Sequence, residues 1–496
     1  MSPSPIAVTA AGKVEGLDKD GLVQFRGIRY ATAARFGPPE PAELNAGVLD
    51  ATAFGPIAPQ NHSPLETMLG AQQMDSGEDC LYLNVFTPAP DDDARPVLVW
   101  IHGGGFTAGT GSISWYDGSR LVAAGDVVVV TINYRLGALG FLAVDGIPGS
   151  GCAGLGDQIA ALRWVRDNIA AFGGDPARVT VFGESAGAMS IGSLLAAPAA
   201  AGLFTNAILQ SGTGEFVHTA ESAAEITAAM IDALGSRDSG VLLDASVDQI
   251  LAAQQTVDNR RQLSTNQFLP FMPVVDGVVL DRRPIDAVRA GAAAGIRVLA
   301  GTTSDEWNLF HVMERASGEF DEAKLNRRLD AVLGDRASDL VALYRADRPD
   351  ATVDDLWCAI ATDWVFRMPA VRLLEAQSTH QPDTWAYEMT LRSTALGGQL
   401  GACHALDVPF VFDNLDRPGV DLLLGGIDDA AVALGSTMSR AWLAMANTGS
   451  PQHAALPTWR QYSSADRAVM ALGREVTLMD DPRAAEREAW TELLPR

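Results

Sequence analysis

One serine in this chain sits where its neighbours would make it a nucleophile. The apolar, β-branched run Val179-Thr180-Val181-Phe182 meets Gly183-Glu184-Ser185-Ala186-Gly187, and a small-residue helical pattern follows from Ala186 to Ala197. A strand that turns straight into a helix leaves no room for side chains on either flank. Gly183 and Gly187 therefore let the backbone close while Ser185 projects its hydroxyl outward. The helix that starts there presents free N–H groups at its first turn, and these stabilise negative charge nearby. The chemistry open to such a serine is acyl transfer, by attack on a carbonyl carbon and passage through a covalent intermediate.

A serine hydroxyl is a poor nucleophile until a base takes its proton and a carboxylate orients that base. With this elbow the expected chain order is nucleophile, acid, histidine. Seven histidines are candidates for the base. His62 and His102 precede Ser185, and His218 follows it by only 33 positions, which leaves little room for an acid-bearing strand between. His311 would need a still earlier acid, His380 sits in a polar helix-end cluster and His453 in a Pro-flanked loop. His404 follows the strand-like run Trp385 to Met389 and the loop Gly397-Gly398-Gln399-Leu400-Gly401-Ala402-Cys403, so it lies at the end of a late strand, where the base belongs. The acid should come just after a strand between the two. Val298 to Gly301 leads into Thr302-Thr303-Ser304-Asp305-Glu306-Trp307, and spacing alone leaves both Asp305 and Glu306 open.

A second Gly-rich stretch, His102-Gly103-Gly104-Gly105-Phe106, follows the strand-like run Val97 to Ile101. Glycines leave backbone N–H groups bare and able to approach an oxyanion. Taken literally, Gly103-x-Gly105-x-x-Ala108 also matches a dinucleotide fingerprint. The match is poor, because Gly109-Thr110-Gly111-Ser112 does not start a helix and no acidic residue ends the next strand at Asn133. A nucleotide-dependent oxidoreductase stays only as a remote alternative.

These residues need a scaffold of alternating strands and helices. The segment Ile6 to Tyr30 reads as short antiparallel strands turning at Ala11-Gly12 and Asp20-Gly21, and the Pro-rich stretch from Gly37 to Gly77 reads as loops. Strands are expected over Leu81–Thr87, Val97–Ile101, Val127–Asn133, Ala207–Gln210, Val298–Gly301, Trp385–Met389 and Ala468–Leu472. Helices are expected over Asp157–Ala171, Glu221–Leu234, Asp355–Gln377 and Ala430–Ala446. The alternation implies an α/β fold with a mostly parallel sheet covered on both faces. No repeat or low-complexity linker divides the chain, so residues 1–496 are expected to form one domain, with helical insertions at roughly 320–380 and 415–450.

Composition narrows the function classes. Hydrophobic residues make up 47% and charged residues 20%, as in a globular protein and not a disordered one. A net charge of −25, from 36 basic and 61 acidic residues, argues against nucleic acid and anionic membranes as partners. No apolar run approaches the roughly 18 residues a membrane helix needs. The N-terminus, Met1-Ser2-Pro3-Ser4-Pro5, lacks the basic head and apolar centre of a secretory leader. Cys80, Cys152, Cys358 and Cys403 show no metal-binding or redox spacing, which suits thiols in a reducing cytoplasm.

The ordered blocks of the sequence resemble the type-B carboxylesterase and cholinesterase family over nearly the whole chain. They are Phe25-Arg26-Gly27-Ile28, Glu78-Asp79-Cys80-Leu81-Tyr82-Leu83-Asn84-Val85, Trp100 to Phe106, Asn133-Tyr134-Arg135-Leu136-Gly137, Asp157-Gln158 and Asn168-Ile169. Further on come Phe172-Gly173-Gly174-Asp175-Pro176, Phe182 to Gly187, Gln210-Ser211-Gly212, Pro273 to Gly277 and Gly401-Ala402-Cys403-His404. The resemblance implies an α/β-hydrolase fold with a Ser185–Glu306–His404 triad, which would choose Glu306 over Asp305. It also implies an oxyanion hole from the N–H groups of Gly104, Gly105 and Ala186. Glu184 would be a buried carboxylate tuning the site, with Ser211 beside it, and Arg35–Glu78 and Arg135–Asp157 would be structural ion pairs. Cys80 falls where secreted relatives form a disulfide, but Ala58 stands where its partner would be.

The expected function is therefore a serine carboxylesterase acting on neutral carboxylic esters through an acyl-enzyme. Carbamates or aryl amides are the alternative substrates, and a non-catalytic binding module on the same fold is a remote one. Activity should rise with pH through about 6 to 7 as the histidine loses its proton. No metal or organic cofactor is called for. The expected partner is a small ester, with no nucleic acid and no membrane, and the protein is expected to be a monomer or weak homo-oligomer. Phe106, Phe268, Phe271, Trp307 and Phe310 are candidates to line an aromatic substrate pocket.

Overall fold

The computed structural model describes residues 4–9, 12–42, 47–61, 74–264, 269–315 and 318–493. Among them, eleven strands join in one mixed sheet. In chain order these are β1 (Leu17–Lys19), β2 (Leu22–Arg29), β3 (Tyr82–Thr87), β4 (Arg95–Ile101), β5 (Val128–Ile132), β6 (Gly174–Glu184), β7 (Asn206–Gln210), β8 (Arg297–Thr303), β9 (Thr384–Met389), β10 (Ala468–Leu472) and β11 (Val476–Asp480). Their spatial order is β11-β10-β9-β8-β7-β6-β4-β5-β3-β2-β1. Strands β4 to β10 run parallel, flanked by β11 on one side and by β3, β2 and β1 on the other, all joined by antiparallel pairing.

β4 and β5 are buried along their whole length, as parallel strands covered on both faces must be. Successive side chains point to opposite faces. Val97, Val99 and Ile101 of β4 join one core, while Leu98 and Trp100 join the other. Helices α1 (Ala153–Asn168) and α2 (Ala186–Leu194) put Leu155, Ile159, Leu162 and Ile191 into the first core. Helix α3 (Asp429–Thr448) puts Met438, Trp442 and Met445 into the second. A further apolar cluster gathers Tyr344, Trp357 and Trp490 from three helices, Ala337–Asp347, Val353–Thr362 and Ala484–Leu493.

The expected strands appear within about two residues of their sequence limits, and three features depart from the sequence reading. β11, Val476-Thr477-Leu478-Met479-Asp480, was not expected from the sequence, and none of its side chains is fully buried. Within the stretch expected as loops, Pro39–Pro41 pairs with Ala31–Ala33 and Val48–Asp50 pairs with Gly12–Glu15. Three-residue strands are too short to show a period, and residues 43–46 and 62–73 of that stretch lie outside the described residues. The helix expected over Asp355–Gln377 is interrupted by a π turn at Asp363–Arg367. Pro369 follows that turn and has no N–H to return to the carbonyl four residues earlier, which favours the wider turn. Among the described residues no helix is long and apolar enough to cross a membrane.

The strand order places the chemistry. From β4 the chain goes to β5 on one side and then returns to β6 on the other, so the carboxyl ends of β4 and β6 flank a switch point, where open α/β sheets bind ligands. The loop His102–Phe106 leaves β4 there, and Ser185 ends β6 there.

Candidate active site

Ser185 has φ 55° and ψ −124° and caps helix α2. Its N–H donates to the Gln210 carbonyl at 2.9 Å, which ties the elbow to the end of β7. The flanking glycines are sterically required. A Cβ on Gly187 would sit 2.0 Å from the Ile101 carbonyl oxygen, and one on Gly183 would sit 2.6 Å from the same oxygen. The strain at Ser185 keeps its side chain clear of both neighbours and partly open to solvent.

His404 meets it. His404 Nε2 lies 2.8 Å from Ser185 Oγ, and Nδ1 lies 2.6 Å from Glu306 Oε2. The second Glu306 oxygen accepts the Thr303 N–H at 2.8 Å, so the carboxylate is fixed at both ends and fully buried. Asp305, the other candidate acid, turns the opposite way. Its Oδ2 accepts the Ala402 N–H at 2.8 Å and pairs with Arg392 at 2.9 Å, holding the loop that carries His404. The remaining described histidines have other partners. His218 contacts the Pro270 carbonyl, His311 pairs with Asp354, and His380 and His453 contact the carbonyls of Arg289 and Thr437.

The glycine loop presses against Ser185. A Cβ on Gly103 would come within 2.8 Å of Glu184 and 3.0 Å of the Ser185 Cβ, and one on Gly104 would strike the Ala108 carbonyl oxygen at 2.2 Å. Gly104 and Gly105 have φ of 106° and 61°. The N–H groups of Gly104, Gly105 and Ala186 have no hydrogen-bond partner among the described residues. His102 anchors this loop. Its ring stacks on Tyr134, its carbonyl accepts the Tyr134 hydroxyl at 2.8 Å, and burial lowers its pKa to about 4, so it stays neutral.

A second carboxylate reaches His404. Glu184 Oε1 lies 3.0 Å from His404 Nε2, with both side chains buried. Burial pushes the Glu184 carboxyl up to about 8 against the pull of His404. At His404 burial disfavours the imidazolium, but the Glu184 and Glu306 carboxylates outweigh it and raise the pKa to about 9. Ser211 is fully buried in the left-handed region at φ 56°, donates its N–H to Gly301 and leaves its hydroxyl without a partner among the described residues.

The aromatic candidates divide. Phe310 lies 5.0 Å from the His404 ring, with Trp307 against it at 5.1 Å, and both are half-buried. Phe106 and Phe271 are corrections to the sequence reading. Both are 0% exposed and belong to the main core, Phe106 packing on Phe141, so neither presents surface to a ligand. Phe268 lies outside the described residues. Sequence reasoning missed Phe366, whose ring is 4.8 Å from the imidazole. It comes from the π turn, and nothing in its sequence spacing signals that approach. The buried hydrogen-bonded group of Gln210, Tyr387, Asp407 and Trp442 was also missed.

Residues 3–490 match the sequence pattern of the carboxylesterase family. The chain belongs to the carboxylesterase family. It is 40% identical over 493 residues to the para-nitrobenzyl esterase of Bacillus subtilis, covering 97% of this chain and 98% of that protein. It is 37% identical to the phenmedipham hydrolase of Pseudarthrobacter oxydans, with 96% of each covered. Among solved structures, the carboxylesterase EST55 of Geobacillus stearothermophilus superposes with a TM-score of 0.88 at 39% identity, covering 98% of this chain and 99% of that one. The fold is therefore the α/β-hydrolase fold, and the protein is a carboxylic ester hydrolase.

The two ion pairs expected of Arg135 and Arg35 are both formed. Arg135 and Asp157 form a buried pair at 2.6 Å, and Arg35 meets Glu78 at 2.5 Å while also donating to the carbonyls of Leu242, Leu243 and Ala245. The four cysteines are buried free thiols, and Ala58 is buried as well.

Proposed function

We propose that this carboxylesterase cleaves neutral carboxylic esters at Ser185 with His404 as base and Glu306 as its orienting acid. His404 takes the Ser185 proton as Oγ attacks the ester carbonyl. The oxyanion that forms is held by the N–H groups of Gly104, Gly105 and Ala186. His404 then gives the proton to the leaving alcohol, and water repeats the sequence on the acyl-enzyme to release the acid. Glu306 fixes the imidazole tautomer and balances the transient imidazolium. The observation that carries this reading is the hydrogen-bond relay from Ser185 Oγ through both nitrogens of His404 to Glu306.

Phe310, with Trp307 behind it, would form the apolar wall beside the base, Glu184 would tune the base, and Ser211 would support the floor of the site. A neutral substrate suits a protein of net charge −25, which also disfavours nucleic acid as a partner. One domain spanning the chain, a cytoplasmic location and a monomer or weak homo-oligomer complete the reading. Buried thiols support the location, since they suit a reducing compartment.

The test is Ser185→Ala against p-nitrophenyl esters of graded acyl length, with one carbamate and one aryl amide in the panel. The variant should fold normally and lose turnover on every substrate, and a fluorophosphonate should label the native protein at Ser185 alone. Undiminished hydrolysis by Ser185→Ala would sink the assignment.

A further inference from the structure

The Ser185 elbow and the His404 loop are 219 positions apart in the chain, and one residue touches both. Gln210 ends β7. Its carbonyl accepts the Ser185 N–H at 2.9 Å, and its side-chain Nε2 donates to Asp407 Oδ2 at 3.1 Å, three residues beyond His404. The Gln210 Oε1 accepts from Trp442 Nε1 of α3 at 3.0 Å, which fixes which end of the amide faces Asp407. Tyr387 of β9 donates its hydroxyl to the same Asp407 oxygen at 2.7 Å. Gln210, Asp407 and Trp442 are each 0% exposed, so water does not substitute for these bonds.

From this geometry we infer that Gln210 is a positioning residue, whose main chain holds the nucleophile while its side chain holds the base loop at a matching distance. This inference rests on the proposed Ser185–His404 site. An amide is the group the position demands. It accepts from the indole N–H and donates to the carboxylate in one rigid plane, whereas a Glu there would set two carboxylates against each other. The distance between nucleophile and base is critical, because a misplacement of about 1 Å costs on the order of a hundredfold in rate.

The electrostatic consequence separates this role from plain packing. Asp407 is faced by Glu306, Glu184, His404 and Tyr387. Burial raises its carboxyl to about 6, with the Tyr387 and Gln210 hydrogen bonds acting in the opposite sense. Removing the Gln210 donor lifts Asp407 further, so it carries less charge near neutral pH. His404 then loses one of the carboxylates that favour its imidazolium, and its pKa falls.

The experiment compares Gln210→Met, Trp442→Phe and Ser185→Ala with the native enzyme on p-nitrophenyl butyrate. Gln210→Met keeps the main-chain bond and the volume but not the tether, and Trp442→Phe leaves Gln210 in place with its Oε1 freed. The expected result is a kcat lower by on the order of ten- to a hundredfold in Gln210→Met and by a smaller factor in Trp442→Phe. KM should change by less than about twofold, and the acid limb of the kcat/KM profile should move to lower pH in both. If Gln210→Met does not fold, Trp442→Phe alone decides. Native kcat with an unmoved acid limb, or a loss of thermal stability with neither kinetic change, overturns the inference. Turnover retained in Ser185→Ala would instead overturn the site reading beneath it.

Discussion

Replacing Glu306 with Gln exchanges a single heavy atom and should remove most of the activity. Glu306 Oε1 accepts the Thr303 N–H at 2.8 Å, and Oε2 faces His404 Nδ1 at 2.6 Å. A glutamine keeps its oxygen toward Thr303, because its NH2 cannot face another N–H, so it turns its NH2 toward Nδ1. Nδ1 must then accept, the ring proton moves to Nε2, and Nε2 can no longer take the Ser185 proton. The lost charge adds to this. An imidazolium and a carboxylate about 4 Å apart interact by about 4 kcal/mol at an effective dielectric of about 20. That alone is on the order of a thousandfold in rate. Together the two effects predict a kcat lower by about 10³ to 10⁴. Asp305→Asn is the matched control. Its amide oxygen still accepts the Ala402 N–H, and Arg392, the charge partner it loses, is itself largely solvent-exposed, so kcat should stay within about threefold. Initial rates on p-nitrophenyl butyrate, with circular dichroism to verify folding, decide between them. More than about a tenth of native kcat in Glu306→Gln, or an equal loss in both variants, would refute the reasoning.

The pH dependence carries a second test. The pKa of His404 is raised to about 9, so the imidazole stays protonated and inactive as a base until the pH climbs toward that value. The kcat/KM profile should thus rise through about 8 to 9 and not the 6 to 7 of an unperturbed histidine. Glu184→Gln should move that limb down, and a limb that stays near 6.5 in the native enzyme contradicts the electrostatics. Arg135→Met leaves Asp157 buried and unpaired, which should cost about 3 to 5 kcal/mol of stability in urea unfolding, and a loss under about 1 kcal/mol would show the pair to be dispensable.

What the sequence alone determined is local. The run Val179 to Phe182, the two glycines around Ser185 and the small residues after it dictate a strand-elbow-helix, because steric exclusion acts over neighbouring residues. Continuous apolar runs such as Val97–Ile101 and Val127–Asn133 dictate strands buried on both faces, and their alternation with helices dictates an α/β sheet. His404 was reachable by elimination, since chain order leaves few histidines. The choice between Asp305 and Glu306 was not reachable from spacing, because neighbouring carboxylates differ only in direction. That direction was decided by the turn after β8, which sends Glu306 to the imidazole and Asp305 to the back of the His404 loop. The same limit misplaced Phe106 and Phe271, whose apolar character fits a pocket and a core equally well, and hid Phe366, which a π turn brings to His404. Gln210 shows the division most clearly. Its sequence neighbours give it a strand end, but its partners Ser185, Asp407 and Trp442 are gathered only when β6, the His404 loop and α3 pack around it, and contacts of that kind are set by tertiary packing and not by local propensity.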